Sequence, residues 1–142
     1  FDNKKKTIGF VAATSILRIL LPDRQVNKKI FNSFELMANQ FNNDDWIKLY
    51  IFWELSLIKE LGYEVDFTND ENKKKSFNKT VLIDDKVVKI PEILINNSSS
   101  KISNTQIREA LVFNKFLLLE NFIKPHSLRL PLSRNILEKY FT

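Results

Sequence analysis

The chain has no cysteine, one histidine and two glycines among its 142 residues. Without cysteine there is no disulfide and no thiolate metal site, and His126 cannot build a metal site by itself, so structural zinc of the usual kinds is excluded. With Gly9 and Gly62 as the only glycines, neither a phosphate-cradling loop nor a dinucleotide fingerprint can be written. The same scarcity removes the familiar nucleophile and base pairs, because the lone His126 sits beside Pro125 at a helix end and reads as a partner for the last carbonyls. No apolar run approaches the roughly 20 residues that span a bilayer. No signal-peptide pattern appears either, so a cytoplasmic protein without membrane contact is expected.

What is present suits one folded domain. Hydrophobic residues make up 44% and aromatic residues 12%, enough for a true core. The chain starts at Phe1 and enters directly through a basic segment, which reads as a piece of a longer protein. Net charge is +5, unevenly placed: residues 1–100 carry 15 basic and 14 acidic side chains, whereas 101–142 carry 7 and 3. A basic C-terminal third is either an ordinary solvated surface or a contact for nucleic acid or an acidic peptide, and charge alone favours the ordinary surface.

The stretch Asp44 to Phe67, DDWIKLYIFWELSLIKELGYEVDF, predicts a core helix with both ends marked. Asp44 is the expected N-cap, Asp45 favours the positive end of the dipole, and Gly62 closes the run in a left-handed conformation. Trp46, Leu49, Phe52, Trp53 and Leu57 fill one flank, while Ile47, Tyr50, Ile51, Leu55, Ile58 and Leu61 fill the other, so the helix is buried from more than one direction. Glu54 interrupts these apolar positions. A carboxylate there needs a cation, because an unpaired buried charge is costly, and Arg18, Arg108 and Arg129 lie next to apolar helical residues that bring them into consideration.

Around this element the apolar spacing predicts a helix over Lys4–Leu21 ended by Pro22, and another over Asn27–Phe41. The short FNNDD connection makes the second and third helices antiparallel neighbours. YEVDF alternates like a strand, TNDENKKKSFNK reads as an exposed loop, and TVLIDDKVVKI as a hairpin turning at Asp84-Asp85-Lys86. PEILI is a turn or short helix. Ser103 or Asn104 caps a long helix that runs to Pro125, and Pro131 and Ser133 begin a short terminal one. The expected fold is mainly α: a bundle of about five helices with a small β-hairpin insertion. Residues 1–66 form a three-helix unit, 67–102 the insertion, and 103–142 the last two helices.

For chemistry, the Asp44/Asp45 and Asp84/Asp85 pairs are accounted for by a cap and a turn, and Glu54 by a structural ion pair, so no enzymatic site is evident. The cations remain. Lys73–Lys75 have acidic neighbours and read as a solvated loop, which leaves Arg108, Lys115, Lys124, Arg129 and Arg134 as candidates to bind DNA or an acidic tail. No groove-reading motif accompanies them.

Three segments together resemble one family. FWELSLIKELGYEVDF is similar to the aromatic-Glu-Leu, Leu-Gly-Tyr, hydrophobic-Asp pattern in the helical domain of the bacterial recombination mediator RecO. ILRILLPDRQVNKKIFNSFELM resembles the helix pair that precedes it, and FIKPHSLRLPLSRNILEKYF the basic, Pro-containing closing segment. The resemblance implies a C-terminal helical domain whose oligonucleotide-binding barrel lies upstream. It implies non-enzymatic binding of single- and double-stranded DNA, strand annealing, and partnership with RecR and with the acidic C-terminal tail of single-strand-binding protein. Many members of that family carry a four-cysteine zinc module where residues 68–100 stand here, and this chain lacks those ligands, so no cofactor is carried over. The alternative is a helical protein-interaction module without direct DNA contact, and a distant third is a hydrolase using Glu54.

Overall fold

The computed structural model of the chain describes residues 4–21, 27–63, 80–83, 86–95 and 101–142. Helix α1 spans Lys4–Leu20, α2 Lys28–Asn39 and α3 Trp46–Glu60. A two-stranded antiparallel hairpin follows, β1 at Thr80–Ile83 and β2 at Lys86–Lys89, in the register Thr80↔Lys89 to Ile83↔Lys86. The short α4, Glu92–Ile95, leads to α5, Asn104–Leu118, which runs without a break into one π turn at Leu119–Ile123; α6, Leu132–Lys139, closes the chain. The mainly helical bundle and its hairpin are as the patterning predicts, with PEILI resolved as a helix of one turn. YEVDF beyond Tyr63, the Lys73–Lys75 loop and Asp84-Asp85 lie outside the described residues.

Helix α3 is central, with α2 and α5 against it and α1 against both α3 and α6. It buries Trp46, Ile47, Tyr50, Ile51, Trp53, Glu54, Leu57 and Ile58, a face of just under half of the cylinder, and Leu49, Phe52 and Leu55 beside that face are half-buried. Full burial of one large aliphatic or aromatic side chain contributes roughly 1.5–3 kcal/mol, which makes α3 the main source of burial energy. At the α1, α2 and α3 junction the rings form a chain: Phe10–Phe34 at 5.8 Å, Phe34–Trp53 at 5.9 Å, Phe10–Phe41 at 6.2 Å and Phe41–Trp46 at 5.4 Å between centroids. No described helix is long and apolar enough to cross a membrane.

The helix ends follow local chemistry, with one correction. Asn27 caps α2 through its side chain, and Ser103 with Gln106 forms a complete capping box on α5. The expected cap at Asp44 is not made: Asp45 occupies the N-cap of α3 and its side chain makes no capping bond. Instead Asn43 Oδ1 accepts from the Asp45 amide at 3.2 Å, so the turn is held one residue earlier by the asparagine. At the other end Gly62 has φ 107°, with Tyr63 N donating to Ile58 O at 3.2 Å and Gly62 N to Lys59 O at 3.0 Å, which is a Schellman closure.

The same closure ends the π turn, but Ser127 holds the left-handed position at φ 54°. Leu128 N donates to Ile123 O at 2.9 Å and Ser127 N to Lys124 O at 3.1 Å. Left-handed geometry costs an L residue about 1–2 kcal/mol, while glycine adds roughly 0.5–1 kcal/mol of unfolded-state entropy to lose. Ser127→Gly is therefore expected to raise the thermal midpoint by about 2 °C and Ser127→Val to lower it; a midpoint that falls in the glycine variant refutes this balance.

Candidate functional site

Tyr50 and Glu54, four residues apart, share one face of α3, and the start of α6 brings Arg134 onto them. Arg134 Nη2 meets Glu54 Oε1 at 2.7 Å, Arg134 Nε donates to Glu54 Oε2 at 2.7 Å, and the Tyr50 hydroxyl donates to Oε2 at 2.8 Å. Arg134 Nη2 also donates to the Leu111 carbonyl at 2.8 Å, and Asn114 Nδ2 donates to the Ile51 carbonyl at 3.0 Å. Helices α3, α5 and α6 are thus fastened by one polar cluster inside an apolar core. Glu54 and Arg134 are each 0% exposed, which leaves no room for a ligand on either.

Burial works against the Arg134 charge, but the Glu54 carboxylate, Tyr50 and the hydrogen bonds outweigh it and hold the guanidinium above its ordinary value. Burial pushes the Tyr50 phenol well up, and the Glu54 charge adds to this while Arg134 partly offsets it. A phenol with a raised folded-state pKa contributes stability that is complete below its unfolded value, near pH 10, and is lost as pH rises through the folded value. Alkaline unfolding followed by circular dichroism, with tyrosinate absorbance recorded alongside, is expected to show a late tyrosine ionising only as the fold is lost. Tyr50→Phe is expected to abolish that late phase; its persistence would rule Tyr50 out.

A second feature faces solvent. Val88 and Lys89 of β2, Pro91 before α4, and the Arg108, Val112 and Phe116 face of α5 enclose a groove of about 530 Å³, with Thr105, Glu109 and Phe113 completing it. Lys86 Nζ lies 5.6 Å from the centre of the Phe116 ring. The floor is apolar and aromatic, and the edge carries Lys86, Lys89 and Arg108 against Glu109. Its size falls within the range of pockets that enclose a small ligand or a side-chain group.

The cations nominated from sequence separate into four situations. Arg108 lines the groove. Lys115 Nζ donates to Glu138 Oε2 at 3.0 Å and sits 2.9 Å from Oε1, tying α5 to α6. Lys124 pairs with Glu120 at 2.7 Å across one helical turn, and its hydrogen bond holds the Glu120 carboxyl below the usual range. Arg129 is exposed between the π turn and α6. Arg134 is corrected from a surface contact to the buried partner of Glu54, and Arg18, Arg108 and Arg129, proposed for that pairing, are all exposed. The sequence did carry a signal: Arg134 and Leu137 fall at i and i+3 on the face of α6 that is buried, and Phe141, just past the helix end at i+7, is buried as well. Lys86 and Lys89 escaped notice because only the docked hairpin brings them beside α5. Among the described residues no three His, Asp or Glu side chains are placed to hold a metal ion.

Fold and site together define a mainly helical bundle with a fastened polar core and an open, basic-edged groove. The chain belongs to the family described as Recombination protein O C terminal, whose model matches residues 4–135. It is 26% identical over 161 aligned residues to the DNA repair protein RecO of Rickettsia bellii (strain OSU 85-389), covering 97% of this chain and 62% of that protein. It is 29% identical over 138 residues to the DNA repair protein RecO of Ehrlichia chaffeensis, covering 83% of this chain and 57% of that protein. The chain therefore spans somewhat less than two thirds of the length of these curated relatives. No solved structure matches it.

Proposed function

We propose that this domain is the partner-binding and DNA-contacting part of a non-enzymatic mediator of DNA repair and homologous recombination. It works beside RecR and single-strand-binding protein, and helps complementary single strands to anneal. Membership of the recombination protein O family is the observation that carries this reading. The groove beside β2 and α5 receives the acidic C-terminal tail of single-strand-binding protein. Lys86, Lys89 and Arg108 answer the tail's carboxylates, and Val112, Phe113 and Phe116 take its aromatic end. Arg108 and the exposed Arg129 are the nominated cations with side chains still open to solvent and without an ion pair in hand, and they supply the contacts to phosphates of single- or double-stranded DNA.

A charge-assisted hydrogen bond contributes roughly 1.5–3 kcal/mol, so Arg108→Ala is expected to weaken an acidic peptide ending in Phe by about 10- to 100-fold. Val112→Asp is expected to weaken it comparably. Isothermal titration is the measurement, and unchanged affinity in both variants would sink the groove assignment.

A second reading is favoured by the ion pairs: with Lys115 and Lys124 paired and Arg134 buried, the domain serves as a protein-interaction module that leaves DNA to other parts of the protein. Titration of single-stranded DNA over a range of salt separates the two. Binding with a steep negative salt slope supports direct phosphate contact, and no binding at low salt removes it.

A further inference from the structure

The groove beside α5 meets β2 along the margin of the strand. Val88 and Lys89 are successive residues of β2, so their side chains point to opposite faces of the hairpin, yet both line the groove. A space that touches both faces of a strand at once abuts its edge. The other edge is taken, because β1 pairs with β2 from Thr80↔Lys89 to Ile83↔Lys86, and among the described residues the sheet has these two strands. In an antiparallel ladder alternate residues turn their N–H and C=O away from the partner strand. On β2 those groups face the groove, and among the described residues no further backbone hydrogen bond reaches Lys86–Lys89.

The dimensions suit one added strand. The four residues of β2 extend about 13 Å at 3.3 Å per residue, and the α5 wall from Thr105 to Phe116 rises about 16 Å at 1.5 Å per residue. Lys86 and Val88 share the face of β2 turned to α5, where Lys86 Nζ lies 5.6 Å from the centre of the Phe116 ring and Val88 packs on the core. A strand laid beside β2 therefore turns every second side chain toward α5, where Val112 is 41% exposed.

Charge selects the occupant. Lys86 and Lys89 stand at the two ends of β2 and are exposed, a placement that deters neutral and basic strands from pairing. A second copy laid antiparallel on the same edge sets Lys86 of one against Lys89 of the other, so like charges meet. Nucleic acid does not match the edge either, because a strand offers carbonyl acceptors as well as donors and phosphate oxygens only accept.

We propose that β2 takes an extended acidic polypeptide segment as a third strand. Main-chain hydrogen bonds to the free edge hold it, its alternate apolar side chains rest on Val112 and Phe116, and its carboxylates meet Lys86, Lys89 and Arg108. The inference rests on the groove being the site for an acidic tail, and adds how the tail is held. Main-chain bonds are blind to side-chain identity, so the site selects for charge and alternation rather than for one fixed sequence.

The probe is an acidic peptide ending in Phe, made as a series in which one amide at a time is replaced by an ester; this deletes the N–H donor and keeps the side chains. Isothermal titration is expected to show affinity falling about three- to tenfold at every second position, and little changed at the positions between. Amide hydrogen exchange followed by NMR is expected to slow at alternate residues of β2 when the parent peptide is bound. Binding with losses unrelated to position, and with no new protection on β2, overturns strand addition and leaves the groove assignment standing. Absence of binding by the parent peptide removes both. Protection on β2 that appears without peptide and grows with protein concentration identifies a second copy as the occupant, which also overturns the proposal.

Discussion

Arg134→Met is expected to destabilise the fold by about 3–5 kcal/mol, against a total of roughly 5–15 kcal/mol for a domain. The methionine fills most of the volume, so the loss is not a cavity. It comes from Glu54, which is 0% exposed and keeps its charge site with only the Tyr50 hydroxyl donating to it, while the Leu111 carbonyl loses its extra donor. The physical claim is about the orphaned partner, and that makes a double-mutant cycle decisive. Glu54→Leu with Arg134→Met removes both charges and is expected to cost much less than the sum of the single changes, because replacing a buried pair by apolar groups of similar size is often close to neutral. Urea denaturation monitored by tryptophan fluorescence gives the three values. A single-variant loss below about 1 kcal/mol would mean that solvent reaches the site and that the pair is not a fastening.

Gly9→Ala, ordinarily a stabilising change inside a helix, is expected to destabilise this protein by about 1–2 kcal/mol. Gly9 lies in the middle of α1, where alanine gains roughly 0.5–1 kcal/mol from helix propensity. Against this, a Cβ at position 9 falls 2.7 Å from Trp46 Cζ3 and 3.4 Å from Phe41 Cε2. The indole cannot swing aside, because its ring is held between Phe41 at 5.4 Å and Phe141 at 6.4 Å. Overpacking of a pinned ring costs about 1–3 kcal/mol, which exceeds the propensity gain and sets the sign. Trp46→Phe removes the clashing atom, and in that background Gly9→Ala is expected to become neutral or stabilising. Thermal denaturation of the four proteins tests this; a stabilising Gly9→Ala in the natural background contradicts the close packing of α1 on α3.

The elements were legible because their causes are local. Apolar residues on almost every side mark α3 as central, Gly62 marks its end, and Ser103 with Gln106 marks the start of α5. The site was less legible because its causes are not. Arg134 and Glu54 are 80 positions apart, and Arg134 looked like part of a basic surface until its helical phase with Leu137 is considered. Lys115 meets Glu138 across 23 positions, which spacing cannot reveal, whereas Lys124 and Glu120 form an i, i+4 pair that it can. Charge counting finds cations and does not say which are spent. The groove depends on the hairpin docking against α5, a juxtaposition carried by no single stretch of sequence.

The separation of Glu54 from Arg134 also bears on how freely this chain can change in length. A loop-closure cost grows only as the logarithm of the intervening chain, about 0.6 kcal/mol for each doubling, which is small beside the roughly 3–5 kcal/mol at stake when the pair is broken. The two ends of the bundle clasp each other directly, through α3 and α6, so the residues between α3 and α5 are not asked to hold them together. Lengthening that middle stretch is therefore expected to cost the frame that presents the groove's α5 wall little stability.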